Sequence, residues 1–352
     1  MLAAVAATAC LSGCANLGYY WQSATGHLKL MSDARPVREW LEDAGADERV
    51  KAKLVLSQRI REFAVTELKL PDNPSYRRYV DLHRSAVVWN VVAAPAYSLT
   101  LKTWCFPVTG CVGYRGYFDE AEAQKEAAAQ RALGYESSVY PVPAYSTLGW
   151  MNWAGGDPLL STFIHYPEGE LARLLFHELA HQVVYTRDDT MFNESFAVAV
   201  ERIGGARWLA RQSTEKTTAE YAEFDRRRRD FRAFMQATRE KLKTLYDTPG
   251  MAPEAREAGK RKIMADFRDA YARMKAGWGG DPARYRGYDQ AVARANNATF
   301  GAQAAYDELV PGFEALFRAS GSDFARFYDA AKELAKLTKA ERHKKLKELA
   351  DA

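Results

Sequence analysis

Apolar and charged residues alternate at helical spacing from Gly26 to Leu70, and the polar, proline-rich Pro71-Asp72-Asn73-Pro74 then breaks the pattern. The following "AVVWNVVAAPAYSL" and "KTWCFPVTGCVGYRGYF" are β-branched and aromatic, and predict short strands with turns between them. "DEAEAQKEAAAQRALGY" returns to helix, "SSVYPVPAYSTLGW" reads as an irregular or extended stretch, and "LLSTFIHY" alternates as a strand does. A strongly apolar helix follows in "LLFHELAHQVVY". It is closed by the turn-like Thr186-Arg187-Asp188-Asp189-Thr190. A second helix begins at "NESFAVAVERI", with Gly204-Gly205 after its periodic part. From Ser213 to about Ala276 acidic and basic residues interleave at helical spacing, which predicts two solvated antiparallel helices broken at Thr248-Pro249-Gly250. Gly277 to Gly287 reads as a loop, and the C-terminal third as helix ending in an exposed amphipathic tail with His343 at the surface. The expected fold is mainly α with a small β-sheet, α+β in class. One domain spans 14–352, with a charged helical hairpin at about 213–276.

Two histidines and a glutamate inside the apolar run need an explanation, because burying charge is costly. His177 and His181 are four residues apart and share one helix face, while Glu178 is turned by about 100° from His177. This H-E-x-x-H arrangement lets two imidazoles converge on a zinc ion and sets a carboxylate beside the metal's open position. Leu174, Leu175, Leu179, Val183 and Val184 would keep the site dry. The alternative is a buried histidine pair satisfied by hydrogen bonds, so a third ligand downstream is the deciding feature. Glu194, near the start of the second helix, can reach the histidine face by a short antiparallel return; Asp188 or Asp189, in the turn, is the competing choice.

His177-Glu178-Leu179-Ala180-His181, followed by Asn193-Glu194-Ser195-Phe196-Ala197 and Glu201-Arg202, resembles the gluzincin metallopeptidases. The likeness is particularly to the zinc aminopeptidases, whose second helix carries N-E-x-x-A with an acidic residue seven positions after the ligand. The resemblance implies a zincin-like fold, one zinc ion held by His177, His181 and Glu194, and Asn193 and Glu201 orienting ligands through hydrogen bonds. It also implies Glu178 as the general base that takes a proton from the metal's water. Twelve residues separate His181 from Glu194, fewer than in thermolysin-like enzymes, so the connection must be a tight loop. The metzincin continuation is absent, since Val184 and Arg187 stand where Gly and His would be required. Over most of its length the chain resembles a family of bacterial proteins regarded as zinc aminopeptidases. The similarity includes "GYRGYFDEAEA", "AYSTLGWMN", "DPLLSTFIHY" and "NNATFGAQAAYDELVPGF". For the tetrahedral oxyanion the candidates are Tyr306 and Tyr145, each with the alternative of a core tyrosine whose hydroxyl is satisfied. By analogy with such peptidases, Leu159 to His165 is the strand expected to present its edge to an extended peptide, with His165 a strand-face residue. The G-x-M-E-N segment that binds a substrate's free amine in well-known aminopeptidases is missing; Gly149-Trp150-Met151-Asn152 lacks the glutamate. A zinc endopeptidase acting on envelope proteins or peptidoglycan peptides is therefore the second reading. A non-catalytic lipoprotein that uses zinc to join two helices is the third.

Composition agrees with a folded enzyme: 352 residues, 47% hydrophobic, can bury a sizeable core, and a net charge of +4 implies no nucleic-acid partner. The basic run Arg226 to Arg229 is flanked by acids, which points to a solvated helix face. The N-terminus changes the picture more. "MLAAVAATACLSGCANLG" opens with an apolar run too short to span a membrane and ends in Leu11-Ser12-Gly13-Cys14, which resembles the bacterial lipobox. Residues 1–13 would be a signal peptide and Cys14 the lipidated first residue of the mature protein. That places it in the periplasm, anchored by lipid, with Ala15 matching the outer-membrane sorting pattern. No basic residues precede Leu2, so the true start is expected upstream. In an oxidising compartment Cys105 and Cys111 are expected to form a local disulfide, the alternative being two buried thiols.

Overall fold

The computed structural model describes residues 2–106, 110–304 and 308–351. Tyr306 lies outside them, as does the side chain of Cys14. The N-terminal helical pattern resolves into three helices, α1 (Leu2–Asp33), α2 (Val37–Glu42) and α3 (Glu48–Thr66), with β1 (Arg35–Pro36) between the first two. Asp47 starts α3 by accepting a hydrogen bond from the Arg49 N–H. Among the described residues, no helix is long and apolar enough to cross a membrane.

Among the described residues, eight short strands form three small sheets. In the first, β2 (Arg78–Val80) lies between β1 and β8 (Leu159–Leu160). The second has β3 (Val88–Pro95) in the centre, antiparallel to β6 (Arg115–Tyr117) on one side and β7 (Tyr135–Val142) on the other. Val91, Val92, Ala93 and Ala94 of β3 are all buried, because α4 (Glu120–Ala132) packs on one face of this sheet and α10 (Asn297–Ala304) on the other. The remaining pair, β4 (Trp104–Phe106) and β5 (Gly110–Val112), is joined by the Cys105–Cys111 disulfide expected from the sequence.

"LLSTFIHY" does not extend as a strand. Only Leu159 and Leu160 do, and they are fully buried beside β2, while 161–166 turns back over the core. Its alternation reflects Leu159, Leu160, Phe163 and Ile164 pointing into the core; His165 is exposed on the turn. The strand expected over Leu159 to His165 is therefore only two residues long.

The main core surrounds α5 (Glu168–Ala180) and α6 (Thr190–Gln212), which pack against α3, while α6 also meets α11 (Val310–Ala319) and α12 (Phe324–Ala335) directly, Phe196 lying against Phe313 and Phe327. Gly204 and Gly205 do not end the second helix, as the sequence suggests, but lie inside α6. A Cβ at Gly204 would come within 2.6 Å of Leu68 and 3.0 Å of Phe176, and one at Gly205 within 2.7 Å of Arg173, so the glycines allow α6 to close on α5.

The charged region forms α7 (Glu215–Asp247) and α8 (Pro253–Trp278), broken where Thr248-Pro249-Gly250 predicts. The pair is not merely solvated: Met235, Leu242, Met264, Phe267 and Tyr271 make a separate apolar seam, and Phe234 stacks on Phe267 at 4.7 Å. After α9 (Arg286–Ala293), Asn297 at the head of α10 donates to the carbonyls of Pro95 (3.0 Å) and Ala96 (2.8 Å). The "NNATF" motif thus pins a helix to the central sheet. The last helix, α13 (Lys339–Asp351), packs on α11 through the buried Leu346, so it is not an exposed tail.

Candidate active site

α5 delivers His177 and His181 to one face, as their spacing requires, and then stops. After His181 the backbone tightens into turns (Gln182 N–H to Leu179 O, 3.1 Å; Val183 N–H to Ala180 O, 2.9 Å), and the Gln182 side chain reaches back to Asn73 and Ser75. The helix is thus shorter than its apolar pattern, which runs on to Tyr185. The reversal that brings α6 back is held by two side chains. Asn193 accepts from the Thr186 N–H and donates to the Thr186 carbonyl, both at 2.8 Å. Asp189, almost fully buried, caps α6 by accepting from the Phe192 N–H. It also meets His343 of α13 at 2.9 Å and lies near Lys339 and Arg342. His343 is therefore not a free surface residue but part of a clamp on the loop beneath the site.

The return places Glu194 against both histidines. Its Oε2 lies 3.3 Å from His177 Nε2 and 3.7 Å from His181 Nε2, and the two ring nitrogens are 3.1 Å apart. Around a tetrahedral ion with bonds of about 2.1 Å, neighbouring ligand atoms are separated by about 3.4 Å. The three observed edges bracket that value. A His-His-carboxylate set is also the donor chemistry zinc takes, so these residues fit a metal ion. Asp188 and Asp189 do not approach the histidines: Asp188 accepts from the Cys111 N–H, and Asp189 faces α13.

Behind His177 stands a buried chain of charge. Glu201, two helical turns after Glu194, accepts from His177 Nδ1 at 3.0 Å and pairs with Arg173, which also contacts Tyr221 (2.6 Å) and Asp225 (3.1 Å) of α7. Burial alone would raise the Glu201 pKa, but the Arg173 charge and the His177 hydrogen bond outweigh it and bring it to about 2. Burial likewise works against a charged His177, and the two carboxylates overcome it, so its pKa is raised. At His181 burial outweighs the same two carboxylates: among the described residues its Nδ1 is buried without a hydrogen-bond partner, and its pKa is lowered to about 4, which favours the neutral ring a metal requires. Of the two residues expected to orient ligands, Glu201 touches one; the hydrogen bonds of Asn193 go to the Thr186 backbone instead. Sequence reasoning did not find Arg173. It lies one helical turn before His177, and only its buried ion pairs distinguish it from a surface arginine.

His177, His181, Glu194 and Glu201 line a cleft of about 770 Å³. Glu178 faces it from α5, with its carboxyl raised to about 7 by burial. One wall is aromatic and includes Tyr114, Tyr145 and Tyr185. Burial pushes the hydroxyls of Tyr145 and Tyr185 up to about 12; that of Tyr114 is raised as well, by burial and by the nearby Glu194 charge. Tyr145, one of the two oxyanion candidates, lies in the cleft wall. Tyr114 was missed because it lies more than 60 residues before the zinc motif, and Tyr185 because it reads as the apolar end of the zinc helix until that helix is seen to stop at Ala180. The Ala144–Asn152 segment that carries Tyr145 is held by Asp157, whose carboxylate accepts from the Thr147 N–H (3.0 Å) and hydroxyl (2.8 Å).

Compared with known proteins, residues 18–346 match the model of a family described as "Putative aminopeptidase". No curated protein and no solved structure matches the chain.

Proposed function

Because that match spans nearly the whole chain, the protein belongs to this family of putative aminopeptidases, a peptidase family, and we propose that it hydrolyses peptides with a zinc ion held by His177, His181 and Glu194. The observation that carries the proposal is the convergence of two imidazole nitrogens and one carboxylate oxygen within 4.8 Å, with Glu178 beside them in the cleft. When bound, the metal supplies Lewis acidity, drawing electron density from an attacking water and from the scissile carbonyl. Glu178 takes a proton from the water as its oxygen bonds to the carbonyl carbon. It returns that proton to the amine as the C–N bond breaks, and a pKa near neutrality suits both transfers. Glu201, backed by Arg173, holds the His177 ring by its Nδ1 so that Nε2 points into the cleft. Tyr114, Tyr145 and Tyr185 bring hydroxyls to the cleft wall that can donate to the developing oxyanion. Tyr306 remains the further candidate for that role. Cys14, as the lipidated first residue, would hold this cleft in the periplasm beside a membrane, the outer one on the strength of Ala15.

A second reading, endopeptidase rather than aminopeptidase, draws on one feature of the cleft. Among the described residues, the carboxylates lining it are Glu178, Glu194 and Glu201. The proposed roles occupy all three and leave none for a substrate's free α-amine. Digesting one decapeptide with free and with acetylated N-termini separates the two. An aminopeptidase releases single residues from the free peptide and leaves the blocked one intact, whereas an endopeptidase cuts both internally. Failure of the zinc-loaded protein to cut either peptide would contradict the hydrolase reading.

A further inference from the structure

The strand that does run along the cleft is β6, at the open edge of its sheet: it pairs with β3 on one side only. Tyr114, Gly116 and Phe118 of this edge line the cleft together with Glu178 and Glu194. The outward main-chain groups of the edge are taken by a side chain. Gln22 of α1 donates from Nε2 to the Gly116 carbonyl (3.4 Å) and accepts from the Phe118 N–H at Oε1 (3.1 Å). One amide that bonds the carbonyl of residue 116 and the N–H of residue 118 reproduces what a main-chain residue of a parallel strand would do opposite Tyr117.

The rest of α1 supports this placement. The Tyr19 ring packs 5.5 Å from Phe106 and 5.5 Å from Tyr117, beneath the Arg115 guanidinium at 4.1 Å. Gly26 lies so close to the Phe118 ring that a Cβ there would overlap it. Tyr19, Tyr20 and Ser23 line the same cleft. Yet over its described length α1 buries side chains fully only near its C-terminal end, at Leu30 and Met31, where Arg78 also bonds the Met31 carbonyl. Upstream its outer face is open, with Leu17 and Trp21 about 70% exposed. α1 is thus fastened at one end and rests on the cleft rim at the other.

We propose that the β6 edge is a binding site for the main chain of an extended peptide, and that α1 is a built-in strap whose Gln22 amide occupies this site until a peptide displaces it. The proposal rests on the peptide-hydrolase reading for its substrate class. It adds that peptide binding and α1 docking are mutually exclusive. Each hydrogen bond of the strap is worth a modest net amount, so removing the Gln22 amide lowers the barrier to displacement by a limited factor.

The test compares the full-length, zinc-loaded protein with Gln22→Ala and with Gly26→Ala, which lifts α1 off Phe118. A quenched decapeptide of alternating alanine and lysine serves as substrate. Gln22→Ala should lower KM by about three- to tenfold with kcat unchanged, and Gly26→Ala should shift KM in the same direction. In Glu178→Gln, which stops turnover, adding the decapeptide should speed hydrogen exchange at residues 19–26 while 116–118 remain protected. If the wild type cleaves the peptide, but neither variant changes KM and exchange in α1 is unaffected, the strap is refuted and the hydrolase reading stands. If no form cleaves, yet the decapeptide binds Gln22→Ala more tightly than wild type and loosens α1, the strap stands and the hydrolase reading fails. If no form binds the peptide, both fail.

Discussion

Replacing Glu201 by Gln keeps the side chain's shape and removes a charge on which His177 and Arg173 both depend. The shift of the Glu201 pKa from its ordinary 4.5 to about 2 corresponds to about 3 kcal/mol of folding stability at neutral pH. The sign follows from proton uptake. Between pH 2 and 4.5 the unfolded chain holds the proton that the folded chain has released, so the contribution is complete above about pH 4.5 and is lost as pH falls towards 2. Removing one partner of a buried pair also leaves Arg173, nearly inaccessible to solvent, with Tyr221 and Asp225 alone. Urea unfolding in the presence of a chelator, which takes metal out of the comparison, should show Glu201→Gln less stable by about 3 kcal/mol at pH 7. The gap should narrow between pH 4.5 and 2.5. With metal present, zinc affinity should fall by about 10- to 100-fold. A stability difference below about 0.5 kcal/mol at pH 7, or one that does not change with pH, would refute the assignment of Glu201 as a charged brace.

Two further outcomes test the metal site and the anchor. Glu194→Ala removes one of three ligands, so elemental analysis should find well under one zinc per chain where the wild type carries one; full retention would assign the third position to another residue. Cys14→Ser should block lipid attachment and move the protein out of the membrane fraction or leave it unprocessed, and an unchanged mass and fractionation would remove the lipoprotein reading.

Legibility in the sequence followed the range of the interactions involved. The pair His177 and His181, and the position of Glu194 beside them, could be read because a helix repeat and a short reversal fix their relation locally. So could the disulfide hairpin and the break between α7 and α8, where turn residues act within a few positions. The errors came where distant packing decides. Gly204 and Gly205 look like a helix stop until Leu68, Phe176 and Arg173 are seen against them. "LLSTFIHY" alternates because four of its residues enter the core, not because it is a strand. Asn193 carries the right name in the motif but spends its hydrogen bonds on Thr186, and His343 looks like a surface residue until Asp189 is found 2.9 Å away, across more than 150 residues of sequence. The substrate edge was sought in the strand nearest the zinc helix in sequence, whereas β6, which lines the cleft, lies some 50 residues before α5.

The central claim is that Glu178 moves the proton while His177, His181 and Glu194 only hold the metal. Glu178→Gln retains the size of the side chain and every proposed ligand, so the decisive measurement is its peptide turnover beside wild type at equal, verified zinc occupancy. Turnover should fall by about 100-fold or more, the range expected for loss of a positioned acid-base group, with the zinc still bound. Equal turnover by the two zinc-loaded proteins would contradict the account.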